Sequence, residues 1–219
     1  MAPNASMLLV VAVLCLPHAS AGGWVLVFRQ TLPFKYARES GGEIWSQAKS
    51  FNAHNNSAPN FSILDQLEGF RSHVDGKLKL KLIYPDDSNQ ANVWKQSSNP
   101  VTRTTGGVEG YEAVDVAWTA QSWGGLEHSD CDQTRPNGGQ CNQCGRSFLD
   151  GSVDSCQFFF AIALTADSPA FSGTIPGPSN TRGFQKVELY AWLEGKDAAT
   201  TCIDCPPHTY SPGGSGLFT

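Results

Sequence analysis

The sequence predicts a mainly β protein, an antiparallel β-sandwich of jelly-roll-like type with one short helix and a disulfide-stapled loop. Three observations carry that prediction. Lys77-Leu-Lys-Leu-Lys-Leu82 alternates strictly, so Leu78, Leu80 and Leu82 point to one face and Lys77, Lys79 and Lys81 to the other. Phe158-Phe-Phe-Ala-Ile-Ala-Leu164 is apolar throughout, as a central strand covered on both faces would be. Short runs of these two kinds recur along the chain, separated by stretches rich in Gly, Pro, Ser and Asn.

The elements follow in chain order. Met7 to Leu16 reads MLLVVAVLCL, broken by Pro17-His18 and followed by Ala19-Ser20-Ala21. That is the apolar core and small-residue cleavage site of a secretory signal peptide. The run is shorter than the roughly 20 residues a membrane span needs. Its flank lacks Lys and Arg, which a buried N-terminal element would also allow, but nothing amphipathic surrounds it. Residues 1–21 are therefore expected to be removed, leaving a secreted or extracellular chain from Gly22 with no membrane span.

Trp24-Val-Leu-Val-Phe28 reads as a buried strand. Residues 38–60 read as loop with one anchor at Ile44-Trp45. Ser62-Ile-Leu-Asp65 has the spacing of a capping box, and Leu64, Leu67 and Phe70 continue at helical spacing to about Arg71. Asp75-Gly76 makes the turn into the Lys/Leu strand. The lysine row could dock an anionic partner, but a solvated face that discourages edge pairing is the preferred reading. Val114, Val116 and Trp118 alternate with Asp115 and Ala117 in a further strand. Residues 166–184 are turn-rich. Val187, Leu189, Ala191 and Leu193 alternate with Glu188, Tyr190 and Trp192 in a closing strand. The β-rich extracellular domain is placed at 22–193, a linker at 194–201 and a cysteine-rich tail at 202–219.

The chain has seven cysteines, and Cys15 leaves with the signal. The six that remain, Cys131, Cys141, Cys144, Cys156, Cys202 and Cys205, read as disulfides in an oxidising compartment. Cys131, Cys141, Cys144 and Cys156 share one loop and are expected to pair among themselves, in a pattern the sequence does not choose. Zinc is the lesser reading, because the two CxxC pairs stand much farther apart than the roughly 15–20 residues of a zinc ribbon.

A net charge of −5 with no basic cluster excludes a nucleic-acid partner. The sequons Asn55-Asn-Ser and Asn60-Phe-Ser mark a glycosylated surface loop. No H-E-x-x-H or G-x-S-x-G occurs and the mature histidines are isolated from one another, so no catalysis is expected. The candidate binding region is the long loop 119–156. Trp123 is its expected stacking platform, freed to bend by Gly124-Gly125, and Glu127, Asp130, Asp132 and Asn137 supply planar acceptors for sugar hydroxyls. The same oxygens would suit calcium, but no specific calcium motif occurs, and no cofactor is expected. A solvated loop with Trp123 tucked into the core is the alternative.

Two resemblances add to this reading. Gly22-Gly-Trp-Val-Leu-Val-Phe28 resembles the "GGW" opening strand of fibrinogen-like and intelectin-like extracellular domains. Cys202-Ile-Asp-Cys-Pro-Pro-His-Thr-Tyr-Ser-Pro-Gly-Gly-Ser resembles the first half of an ephrin-A/B-receptor-like cysteine-rich repeat, with His208 where glycine is usual. The second resemblance implies a repeat cut short or decayed, whose Cys202 and Cys205 lack their expected partners. The reading of function is a secreted or cell-surface recognition module that binds glycan or a surface protein through the 119–156 loop. The alternative is a structural spacer in a larger matrix or receptor-ectodomain protein.

Overall fold

The structure is a computed structural model that describes residues 22–37, 46–86, 90–104, 107–119, 123–129, 146–151, 159–166, 173–178 and 183–195. In chain order the strands are β1 (Gly23–Thr31), β2 (Ser50–Phe51), β3 (Phe61–Ile63), β4 (Leu78–Ile83), β5 (Ala91–Gln96), β6 (Glu112–Val116), β7 (Leu126–His128), β8 (Ser147–Gly151), β9 (Ile162–Leu164), β10 (Ile175–Pro176), β11 (Gly183–Phe184) and β12 (Lys186–Leu193). A one-turn helix α1 (Ser46–Lys49) precedes β2, and a 3-10 helix (Leu64–Phe70) follows β3. The chain from Gly23 to Glu194 forms one compact unit.

The fold is mainly β and antiparallel. Seven strands form one sheet in the order β2-β3-β1-β12-β4-β5-β6, and β7-β8-β9 form a second. Leu78, Leu80 and Leu82 are fully buried on one face of β4, beside Val187, Leu189 and Ala191 of β12. They share one core with Leu126, Phe148, Leu149 and Ile162 of the small sheet, which lies across that face. Each fully buried aliphatic side chain contributes roughly 1.5–3 kcal/mol by leaving water.

Two glutamines join the sheets. β7 and β9 are the edges of the small sheet, and their unpaired backbone groups are buried. Gln30 of β1 donates to Leu164 O at 3.1 Å and accepts from Leu164 N at 2.8 Å. Gln96 of β5 donates to Leu126 O at 3.0 Å and accepts from Leu126 N at 3.1 Å. Each carboxamide substitutes for a missing strand, because it carries one donor and one acceptor side by side as a peptide group does. Both side chains are fully buried.

Several local expectations are corrected. Within 38–60, residues 46–51 form α1 and β2 rather than loop, and Ile44-Trp45 lies outside the described residues. Ser62 does not cap a helix: the 3-10 helix has Ile63 at its N-cap and no side-chain cap bond. Ser62 lies in β3 and donates to Ala48 O at 2.5 Å instead, tying α1 to the sheet. The apolar run from Phe159 to Leu164 is fully buried, but β9 is an edge strand rather than a central one. Left-handed backbone at Phe160 (φ 56°) and Ala163 (φ 58°) breaks its regularity. The strand at Val114 is the outer edge β6, with Val114 47% exposed. β12, last in sequence, lies between β1 and β4. The stretch 166–184 contributes the β10–β11 pair. β1 buries Val27 and Phe28, while Trp24 to Leu26 are half-buried.

Asp75-Gly76 turns as expected, with Gly76 at φ 69° and Gly76 N donating to Ser72 O at 3.1 Å. No helix among the described residues is long and apolar enough to cross a membrane.

Candidate functional site

Of the residues expected to form the site, the two that the structure describes, Trp123 and Glu127, are buried. Trp123 is 9% exposed, with its ring 5.0 Å from Trp94 and 4.5 Å from Phe160. An indole held between two core aromatics has no free face for a sugar, so the stacking role is corrected to a packing role. Gly125 is needed for that packing rather than for bending into solvent. At φ 101° it passes so close to Gln96 that an added Cβ would meet Gln96 Oε1 at 2.8 Å. Glu127 is also buried, 6% exposed, and lies in β7 directly across from Asp150 of β8, on the strand face opposite that of the core residue Leu126. Asp130, Asp132 and Asn137 lie outside the described residues, as do Cys131, Cys141, Cys144, Cys156, Cys202 and Cys205. Among the described residues no three His, Cys, Asp or Glu side chains converge as a metal ion would require.

The two sequon asparagines differ. Asn55 is exposed, and its Oδ1 accepts from Ser57 N at 3.1 Å. Asn60 is half-buried, and its Oδ1 accepts from Thr31 N at 2.8 Å.

A different group of chemistry-bearing side chains lies on the outer face of the seven-stranded sheet. Antiparallel register puts Trp24 of β1 opposite Trp192 of β12, and Tyr190 of β12 opposite Lys81 of β4. Alternation places Lys79 on the same face as Lys81. The Trp24 and Trp192 rings meet edge to face at 5.3 Å. The Lys79 ammonium lies 4.8 Å from the Trp192 ring centre and 5.5 Å from that of Trp24. The Lys81 ammonium lies 4.8 Å from Trp24 and 4.6 Å from Tyr190. One indole thus carries two cations, and the ring quadrupole attracts both.

The neighbouring lysines are arranged differently. Lys95 of β5 pairs with Asp75 at 2.7 Å, and Lys77 pairs with Glu112 of β6 at 3.0 Å. The hydrogen bond from Lys95 is the main cause that brings the Asp75 carboxyl down to about 2. Among the described residues Lys79 and Lys81 make no such pair. Lys79 also faces Lys95 directly across the strands, where like charges destabilise a sheet. Burial lowers the Lys81 pKa below its ordinary value, with Glu188 opposing.

Tyr190 is held in place by its hydroxyl, which donates to Glu188 at 2.6 Å. Glu188, 4% exposed, also accepts from Arg29 Nε at 2.7 Å and pairs with Lys186 at 2.9 Å. Burial would raise the Glu188 carboxyl, but the bonds from Tyr190, Lys186 and Arg29 outweigh it and hold the group below its usual range. Burial, then the Glu188 carboxylate, pushes the Tyr190 hydroxyl up to about 12. Beside this cluster is a depression of about 160 Å³ lined by Ser72, Asp75, Lys79, Lys95, Trp192 and Glu194.

The lysine row was visible in the sequence, but its aromatic partners come from the two ends of the domain and were not assigned to it. The edge-protection account of the lysines is also corrected, because β4 lies between β12 and β5 and is not an edge.

Fold and surface together define an antiparallel β-sandwich with an aromatic–lysine platform on its larger sheet. No family model, curated protein or solved structure matches the chain.

Proposed function

We propose that this chain is a secreted or cell-surface recognition module that binds extracellular glycan on the outer face of its seven-stranded sheet, without catalysis. The observation that carries this reading is the platform of Trp24, Trp192 and Tyr190 with Lys79 and Lys81. Sugars are recognised by apolar ring edges together with polar groups that meet their hydroxyls. The depression beside Trp192 offers both, with Ser72, Asp75 and Glu194 as hydroxyl partners. Trp123 and Glu127 are both buried, so neither offers the exposed contact first expected of it. Asn55, exposed and in a sequon, is the proposed acceptor of a glycan of the protein's own. A mass unchanged by glycosidase treatment of the secreted protein would refute that assignment.

The test of the recognition reading is a multivalent glycan array, where avidity reveals weak sites. The full secreted chain is compared with Trp192→Ala, with and without a chelator. Binding by the wild type that Trp192→Ala loses, and that chelation leaves intact, is the expected result. A wild type that binds no glycan overturns the reading and favours a structural spacer. Loss on chelation would instead bring calcium into the site.

A further inference from the structure

We infer that the ligand of this face is an acidic polysaccharide, whose anionic groups are met by Lys79 and Lys81. This inference rests on the recognition reading and narrows it to a chemical class.

The argument begins with charge in excess of structural need. Four lysines lie close together on and beside β4 and β5, and two of them, Lys77 and Lys95, are neutralised by Glu112 and Asp75. A carboxylate for Lys79 or Lys81 would have been simple to supply, since Trp192 and Tyr190 stand where an acid would pair with them. Aromatic rings stand there instead. An ammonium on an aromatic ring keeps its charge and is held in one place, but its outward side remains free to meet an anion. Lys79 keeps this arrangement although it faces Lys95 across the strands. Pairing positive charges in this way opposes folding, and an anionic ligand relieves it.

Spacing adds a second constraint. Lys79 and Lys81 are two residues apart on one strand, so their Cα atoms are on the order of 7 Å apart. Both ammonium groups lie over the single ring of Trp24. A ligand that meets both must concentrate negative charge over this one ring, as the closely spaced anionic groups of an acidic sugar polymer do.

The depression favours a sugar polymer over a nucleic acid. It places Asp75 and Glu194 among the lysines. Those carboxylates can accept the free hydroxyls of a polysaccharide, which the deoxyribose-phosphate backbone of DNA does not offer.

The experiment measures affinity of the full secreted chain for four probes: dextran sulfate, hyaluronan, unmodified dextran and single-stranded DNA. Dextran sulfate carries sulfate alone, hyaluronan carboxylate alone, and dextran neither. The expected result is binding to dextran sulfate, hyaluronan or both, with none to dextran, and loss of affinity as salt rises from about 0.05 to 0.2 M. The arm that binds identifies the anionic group. The double variant Lys79→Gln/Lys81→Gln should weaken binding at least about tenfold with a shallower salt dependence, while Lys35→Gln/Lys49→Gln removes the same charge and should leave it unchanged. Equal losses in the two double variants would show that only net charge matters, and would overturn the inference. DNA binding as tight as glycan binding overturns the polymer class. If array binding to neutral glycans is lost in Trp192→Ala but unaffected by Lys79→Gln/Lys81→Gln, the recognition reading stands and the acidic-ligand inference fails. Circular dichroism and thermal unfolding of each variant confirm that the fold is retained.

Discussion

The two faces of strand β4 carry side chains of equal regularity and opposite consequence. Leu78, Leu80 and Leu82 disappear into the core, while Lys79 and Lys81 stay half-exposed on aromatic rings. On the inner face, position is everything: apolar groups gain by leaving water, and any residue of the right shape would serve. On the outer face two lysines are kept unpaired beside carboxylates that serve their neighbours. The difference teaches that alternation assigns a residue to a face, and only its neighbours across the sheet say whether it is solvated or assembled into something.

The comparison can be broken most severely from the inner side. Leu80→Ala removes a fully buried side chain and should cost about 2–5 kcal/mol. At roughly 2–4 °C per kcal/mol for a domain of this size, Tm should fall by about 10 °C. Thermal unfolding that shows less than about 1 kcal/mol would mean that the inner face is not the core. Next comes the junction between the sheets. Gln96→Leu leaves the buried backbone groups of Leu126 and the indole N–H of Trp94 without their partner. An orphaned buried polar group costs about 1–3 kcal/mol. The amide of Leu126 should also exchange hydrogen much faster than in the wild type, and unchanged protection there would rule out the strand-surrogate role.

The third effect depends on pH. Glu188 is held below its ordinary carboxyl range in the folded protein. Its contribution is therefore fully present above the unfolded value of about 4.3 and is lost as pH falls through the lower folded value. Glu188→Gln should be less stable than the wild type at neutral pH, and the gap should narrow below about pH 4. A gap independent of pH would show that packing, not charge, is what the substitution removes. Tyr190 fluorescence, or the titration of its hydroxyl, should report the loosened ring in the same variant. The smallest effect belongs to the outer face. Lys79→Gln should change unfolding free energy by less than about 1 kcal/mol, since a half-exposed cation–π contact contributes roughly 0.5–1 kcal/mol and the repulsion from Lys95 is relieved. A large destabilisation would make the platform a structural device and not a binding one.

The strands were legible to different degrees. β4 and β12 could be read from period alone, because each has one buried and one half-exposed face. β9 reads from the sequence as a central strand but is an edge, since an apolar run looks the same whether it is central in a sheet or buried at its edge. At its free edge Gln30 reaches across from β1 to Leu164, whose carbonyl also accepts from Tyr36 N at 3.0 Å, and nothing in the local sequence marks that glutamine. Ser62 was misassigned for a related reason. A cap oxygen accepts from an N–H two or three residues into the helix, but Ser62 is held in β3, where its hydroxyl donates to Ala48 O and accepts only a long bond from Leu64 N at 3.4 Å. Trp123 was the plainest case: its loop is polar, but an indole gains so much by burial that it turns inward against Trp94 and Phe160.

By itself the sequence determined the class of fold, the two faces of β4 and β12, the turn at Asp75-Gly76, and the charge of the lysine row. These depend on period and local conformational preference, which are properties of neighbours in the chain. Tertiary structure alone decided that Trp24 and Trp192 meet, that both stand under the lysines of β4, and that two glutamines complete the edges of the smaller sheet. Antiparallel pairing of the first and last strands of the domain brings together residues more than 160 positions apart, and no local rule encodes a contact at that separation.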